Sequence, residues 1–444
     1  MRHLQNDRVV DMIRDRRAIL ALLTGLNFLN FIDRAVMAAV LPEVTKGKGL
    51  GLSDFEGGLL NTAFLIGLFA TSPLFGARAD KGARKGLITL GVIIWSLATV
   101  ASGLASGFWT LFAARIVVGV GEASYAVLAP TIIDDMFPPE RKGSALSTFY
   151  LAIPLGYAMG YAFGGQLAKH WDWRTAFFVV GGPGIVLALS VLLIAEPKRQ
   201  LLGVKAKLIE GLRELAVLPQ FRRTVLGYTA YTAALAGFSI WAPKFLLRAF
   251  PSELDIGSAN LYLGAVLMVA GTIGIWIGGR YANRALVHHR VAPDEPYDSG
   301  RNKRAVNSLL RIAAVAMALS APLSALGFLV PGAVAYFVIS FVVEICLFAT
   351  TSPVNAALLR AVPAERRASA MAATVFSIHL FGDLWSAAAL GLLLDNLPLK
   401  IAMMSLPLTF AWSAYIWRPR QREAEAPSAT GPDPVPEARV HTGT

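Results

Sequence analysis

Apolar residues in this chain gather into twelve runs of roughly twenty positions, each about long enough for a helix to cross the hydrocarbon layer of a bilayer. Most of the charge falls in the segments between them. The runs predict transmembrane helices near 18–42, 56–76, 87–106, 109–136, 143–168, 174–195, 222–247, 258–280, 308–329, 332–355, 368–394 and 399–417. The expected fold class is therefore an all-α membrane protein. A basic RDRR precedes the first run and superficially resembles the start of a secretory signal. That run extends from Ala18 to about Leu41 without a small-residue cleavage site, so it reads as the first transmembrane helix.

Composition agrees with the pattern. The 444 residues are 55% hydrophobic and 16% charged, with a mean hydropathy of +0.54, which would demand an implausibly large core in a soluble protein. The net charge of +12 does not mark a nucleic-acid surface, because Lys and Arg lie between apolar runs and not on one face of a polar domain. With both termini cytoplasmic, inner segments and their helix ends hold 32 of the 41 basic residues against 7 outside. This bias predicts an even number of spans in an inner (plasma) membrane, with both termini inside. The single cysteine, Cys346, lies within an apolar run, so no intrachain disulfide is possible and a packing role is expected.

The chain also reads as a duplication. Pro130 is followed by PPERKGSA at 138–145 and Pro353 by VPAERRASA at 362–370, which places Glu140-Arg141 and Glu365-Arg366 225 residues apart. Likewise GARADKGARKG at 76–86 corresponds to GGRYANRAL at 278–286, with Asn283 at the position of Asp80. The expected organisation is a six-helix bundle over 1–195, a cytoplasmic linker over 196–221, a second six-helix bundle over 222–417 and a disordered tail over 418–444. In the linker, Leu208, Leu212, Leu215 and Val217 form one apolar helical face suited to lying along the membrane. Segment 281–304 reads as a polar loop. Repeats of this kind place a binding site between the halves near the bilayer midplane.

Charge at membrane depth gives the candidate site. An ionisable residue there costs about 2.5–3.5 kcal/mol on insertion scales, so it tends to face a cavity or a relay. Asp33 and Arg34 fall on helix 1, and Arg115 and Glu122 on helix 4. Arg115 and Glu122 share a helical face about 10 Å apart, too far to pair directly. Asp33 lies at a depth between them, so Asp33 and Glu122 can exchange partnership with Arg34 or Arg115 as protons bind and leave; a permanent ion-pair network is the structural alternative. In the second half the candidates are Glu344 on helix 10 and the pair His379 and Asp383, four apart on helix 11, which can relay a proton or simply satisfy each other. Two such ligands make no metal site, and no cofactor beyond a coupling proton is expected. Gly156, Gly160 and Gly164 suit close approach of helix 5, and Pro154 suits a kink in it. Phe28, Phe64, Tyr150, Phe238 and Trp241 are candidates for cavity walls.

The loop GARADKGARKG resembles the signature of the major facilitator superfamily, with the usual glycine one place early at Gly82 and Ala83 in its stead. The resemblance implies gating by Asp80 and Arg84, with Arg141 in the corresponding loop after helix 4. NFIDR at 30–34, GEASYAVLAPTIIDDMF at 121–137 and FYLAIPLGYAMGY at 149–161 resemble the Spinster group of lipid transporters. That resemblance implies a bacterial, monomeric secondary transporter that moves a sphingolipid or lysophospholipid by alternating access, coupled to protons. Asp33, Arg34, Arg115 and Glu122 would then form its intracavity charge network, with an arginine receiving a phosphate. A drug or organic-anion exporter of the same fold is the alternative. A receptor-like sensor or an intramembrane enzyme is a weaker one, since the chain has no metal-ligand cluster, Ser-His pairing or nucleotide loop.

Overall fold

The computed structural model describes residues 13–79, 84–196, 214–292 and 295–419. Its helices are α1 (Arg16–Thr45), α2 (Asp54–Ala79), α3 (Arg84–Gly103), α4 (Phe108–Met136), α5 (Pro139–Tyr150 continuing as Ala152–His170) and α6 (Trp173–Val191). The second half holds α7 (Pro219–Ala249), α8 (Ile256–His288), α9 (Gly300–Leu329), α10 (Ala333–Ala349 continuing as Thr351–Arg360), α11 (Arg367–Ile378 and Leu384–Asn396) and α12 (Leu399–Met403 and Ser405–Trp417). The two parts of α11 are joined by a π-helical turn at His379–Asp383. Eleven of these are long and apolar enough to cross a membrane. The twelfth, α5, is diluted by Gly, Tyr and Gln because it is packed against other helices on two sides. The protein is a multi-pass membrane protein, and Leu, Val and Trp side chains such as Leu104, Val186, Leu408 and Trp412 stand exposed on its perimeter.

The helices form two six-helix bundles with the same internal plan. In the first, α1 packs on α5, α2 on α4 and α3 on α6. In the second, α7 packs on α11, α8 on α10 and α9 on α12. The bundles meet where α2 faces α11 and α5 faces α8, two contacts that exchange when every helix number advances by six around the twelve. This is pseudo-two-fold symmetry of the kind an internal repeat produces.

Several boundaries differ from the sequence expectation for local reasons. Helix 5 starts at Pro139, not at 143, and breaks at Leu151 instead of merely kinking at Pro154. Pro154 has no N–H for the Tyr150 carbonyl and its ring crowds that carbonyl, so the break falls one turn before it. Pro353 does the same to α10, which is interrupted at Thr350. Helix 9 starts at Gly300 instead of 308, since the Ser299 side chain accepts the Asn302 amide and the run RNKR continues the helix outside the membrane. With α8 reaching His288, the polar loop expected over 281–304 shrinks to a short connection. Leu208 and Leu212 of the expected linker helix, and the tail from residue 420, lie outside the described residues. Leu215 is buried against Phe221, Leu358 and Ala373, whereas Val217 is exposed, so those two do not share one membrane-facing stripe.

The glycines of α5 act as predicted. A Cβ on Gly156, Gly160 or Gly164 would strike Phe31, Ala35 or Ala39 of α1, so the two helices run in backbone contact. Gly160→Val should therefore overpack α1 by about 1–3 kcal/mol and lower the melting temperature in detergent, while Gly182→Val, whose Cβ would meet nothing within 4 Å, should leave it unchanged. Equal melting of the two variants would remove this account of the α1–α5 seam.

Candidate functional site

Between the bundles lies a cavity with about 1190 Å³ of empty space, its open mouth included. Phe64, Leu65, Phe238, Leu263, Leu267 and Phe348 make its walls largely apolar. Into it come Arg34 and Arg115 from the first bundle and Glu344, His379 and Asp383 from the second. The residues that the sequence placed on four different helices thus line one chamber.

Arg34 is the hub. Its Nε and Nη2 each lie 2.8 Å from Glu122 Oε2, a forked contact between α1 and α4. Glu122 is fully buried behind Arg34, and its Oε1 has no hydrogen-bond partner. The Arg34 guanidinium stacks 4.9 Å from the rings of Phe31 and Phe64, and Arg115 lies 5.2 Å from the same Phe64 ring. One aromatic ring therefore steadies two cations that would otherwise repel. Asp33 points away from its neighbour Arg34 and accepts a 2.8 Å hydrogen bond from Thr99 on α3, leaving Oδ1 without a partner. Arg115 and Glu122 form no direct bond, as their spacing implied. Asp33 and Glu122 are both absent from the cavity wall. They stand one layer behind the arginines that reach it.

In the second bundle, His379 Nδ1 lies 2.7 Å from Asp383 Oδ2 across the π-helical turn of α11. The extra residue of a π turn swings these side chains toward the cavity, and the His379 ring packs 5.2 Å from Phe69 of α2. Glu344 of α10 is 5% exposed, with Oε2 unbonded. Of the aromatic candidates, Phe64 and Phe238 line the cavity. Trp241 does not, because it is fully buried and donates to the Ala387 carbonyl; Phe28 packs in the core and Tyr150 is exposed.

On the face where α1 begins and α12 ends, Arg84 bonds Asp135 at 2.6 Å and Glu196 at 3.1 Å, tying α3 to the ends of α4 and α6. Asp80 lies outside the described residues, and Arg141 is exposed at the start of α5. The opposite face holds a cluster that the sequence reading passed over. Asp54, buried at the start of α2, bonds Lys244 and Arg248 of α7, the latter at 2.7 Å, and Lys244 also bonds Thr45 of α1. Asp395 at the end of α11 caps α2 from the other bundle by accepting the Asp54 and Phe55 amides at 2.8 Å each. Below this latch, Thr62 donates to the Leu384 carbonyl at 2.6 Å, and Gly58 sits against the Ala387 backbone. On the other seam Lys169 of α5 lies 2.9 Å from Asp255, the cap of α8. The Ser258 amide, and then Lys169, hold the Asp255 carboxyl down at about 2, so this surface brace stays charged at ordinary pH. These residues look like ordinary helix ends in the sequence; only the meeting of the bundles makes them a latch.

A family model described as Major Facilitator Superfamily matches residues 23–385. The probable sphingolipid transporter spinster homolog 2 of Arabidopsis thaliana is 30% identical over 88% of this chain and 84% of its own. Protein spinster homolog 1 of Homo sapiens is 32% identical over 85% and 73%. The chain belongs to the Spinster group of the Major Facilitator Superfamily. The sphingosine-1-phosphate transporter SPNS2 of Danio rerio is 30% identical over 87% of this chain and 78% of its own. Among solved structures, a bacterial homolog to the human lysosomal transporter Spinster, in an inward-facing and occupied conformation, gives a TM-score of 0.76 at 23% identity over 90% and 96%. The same homolog, inward-facing and unoccupied, gives 0.73 at 24% over 90% and 94%. This Spinster-group chain is thus a membrane transporter of the twelve-helix major facilitator fold, and not an enzyme.

Removing Asp54 leaves Lys244 buried beside Arg248 without its ion-pair partner, a loss of about 3–5 kcal/mol for a buried pair. In a Cys346→Ser background carrying Ala387→Cys, Asp54→Ala should raise labelling by an impermeant maleimide from the latch face about tenfold or more. Unchanged labelling would mean that the latch does not hold this face shut.

Proposed function

We propose that this protein moves an amphipathic lipid of the sphingolipid or lysophospholipid type by alternating access, coupled to protons. The observation that carries the reading is the cavity itself, with apolar walls on both bundles and two arginines, Arg34 and Arg115, reaching it from one side. Such a chamber suits a hydrocarbon tail with an anionic head, since a guanidinium pairs with phosphate in a forked geometry while the walls take the tail. The names of the relatives from Arabidopsis thaliana and Danio rerio support the same class.

The excess of basic residues on the face where α1 begins and α12 ends supports a cytoplasmic position for it. The latch of Asp54, Lys244, Arg248 and Asp395 then closes the outer side, and the cavity is reached from within. Transport requires this latch to part while the cytoplasmic ends of the bundles close, with Arg84, Asp80 and Arg141 at that second gate. Glu122 supplies the coupling step. A head group that draws Arg34 away leaves Glu122 buried without its cation, and a proton then restores neutrality. Asp33, held by Thr99 and within electrostatic reach of Arg115, is the second acid of the relay.

The test is uptake into proteoliposomes of labelled lysophospholipid, sphingoid phosphate and hydrophobic drug, with and without an imposed pH gradient. The gradient should accelerate lipid uptake, and Asp33→Asn and Glu122→Gln should each abolish the acceleration. Uptake indifferent to the gradient and to both substitutions removes proton coupling. Movement of drugs without lipids moves the assignment to an exporter of the same fold.

A further inference from the structure

The charge around the cavity is divided by bundle. The first contributes the cations Arg34 and Arg115, and the second contributes the acids Glu344 and Asp383 with His379. Most of these groups are already answered within their own bundle, Arg34 by Glu122 and Asp383 by His379. One is not. Arg115 is buried with Nε and Nη1 unbonded but lies within electrostatic reach of Asp33 and Glu122 of its own bundle, whereas Glu344 is buried with Oε2 unbonded and no described cation beside it. Among the described residues no ion pair involves Glu344, although the other acids lining or backing this cavity each have a hydroxyl, guanidinium or imidazole partner. Leaving a buried carboxylate with no partner is costly unless something that enters the site completes it. Its surroundings favour a cation. Phe238, Phe348 and, from the first bundle, Tyr161 line the same cavity; Phe238 also lines a smaller adjoining pocket with Glu344, and Tyr161 lies within electrostatic reach of it, so aromatic rings border the carboxylate.

We propose that Glu344 receives the ammonium group of the transported lipid, so that the cavity takes a zwitterionic head with its phosphate toward Arg34 and Arg115 and its amine toward α10. This rests on the lipid reading above and narrows it. The head group then bridges the two bundles, meeting the arginines on one and the unpaired acid on the other. A purely anionic head would satisfy only the first bundle.

The experiment compares binding of two chain-matched radiolabelled lipids to the full chain in nanodiscs: lysophosphatidylethanolamine, which carries an ammonium, and lysophosphatidic acid, which does not. Wild type should bind the zwitterion more tightly. Glu344→Gln should weaken that binding by about tenfold, the scale of one charged hydrogen bond, and leave lysophosphatidic acid unchanged. Glu344→Asp, which keeps the charge, should recover part of the loss. A wild type that binds the two lipids equally overturns the proposal even if no variant folds. So does a Glu344→Gln variant that weakens both lipids alike, which would make Glu344 a packing group or a general proton carrier. If wild type binds neither lipid but does bind hydrophobic drugs, the lipid reading fails, and this inference fails with it.

Discussion

A charge inside a bilayer must be answered by another charge or by water, and the Arg34–Glu122 pair is where this protein meets that requirement. Its two 2.8 Å contacts tie α1 to α4 beside the central cavity. Phe64 stacks under Arg34 and also under Arg115, while Asp33 finds Thr99 on α3. Four helices of the first bundle are thereby organised around one buried group. Because such a pair gains little over an apolar replacement but costs several kcal/mol when broken, its place in the structure argues for use more than for stability. An event that competes for Arg34 is transmitted at once to Glu122, and that transmission is the basis of the coupling proposed.

The bundles share a helix plan but not a distribution of charge. Backbone packing follows the pseudo-symmetry closely: α2 against α11 and α5 against α8 repeat the same small-residue approach, with Gly58 on Ala387 and Gly264 on Ala158. Cavity-facing cations belong to the first bundle and cavity-facing acids to the second. Symmetry therefore supplies two seams about which the bundles can rock, and asymmetry supplies a polar axis across the site. The latch uses the same logic at a helix end, where Asp54 and Asp395 tie the first bundle to the second through buried charge and through the unsatisfied amides of α2.

How far the sequence revealed this depended on whether the determining contacts were local. Twelve spans followed from hydropathy, and the close-packing face of α5 from glycines four apart, because a helix repeat converts spacing into a face, while its partner α1 came only with the fold. Intramembrane charge marked Asp33, Arg34, Arg115 and Glu122 without any knowledge of contacts, since hydrocarbon makes such residues rare. What spacing could not tell was who pairs with whom. Adjacent Asp33 and Arg34 point to different helices, and Glu122 is answered from α1, not from its own helix. Glu344 and the His379–Asp383 pair looked isolated in a charge-poor half until the fold placed them across the cavity from the arginines. The latch was illegible because Asp54, Lys244 and Asp395 are distant in sequence and each sits where a charged helix end is unremarkable. Pro154 and Pro353 signalled irregularity, but only the carbonyl one turn earlier tells where the break falls.

The central claim is that displacement of Arg34 by a head group protonates Glu122. Its most direct measurement is the number of protons taken up by purified protein in weakly buffered detergent when a saturating lysophospholipid is added. The account predicts net proton uptake by wild type on binding, and a clear reduction in Glu122→Gln at equal lipid occupancy. Identical proton exchange in the two proteins, or none in wild type despite saturated binding, would contradict it.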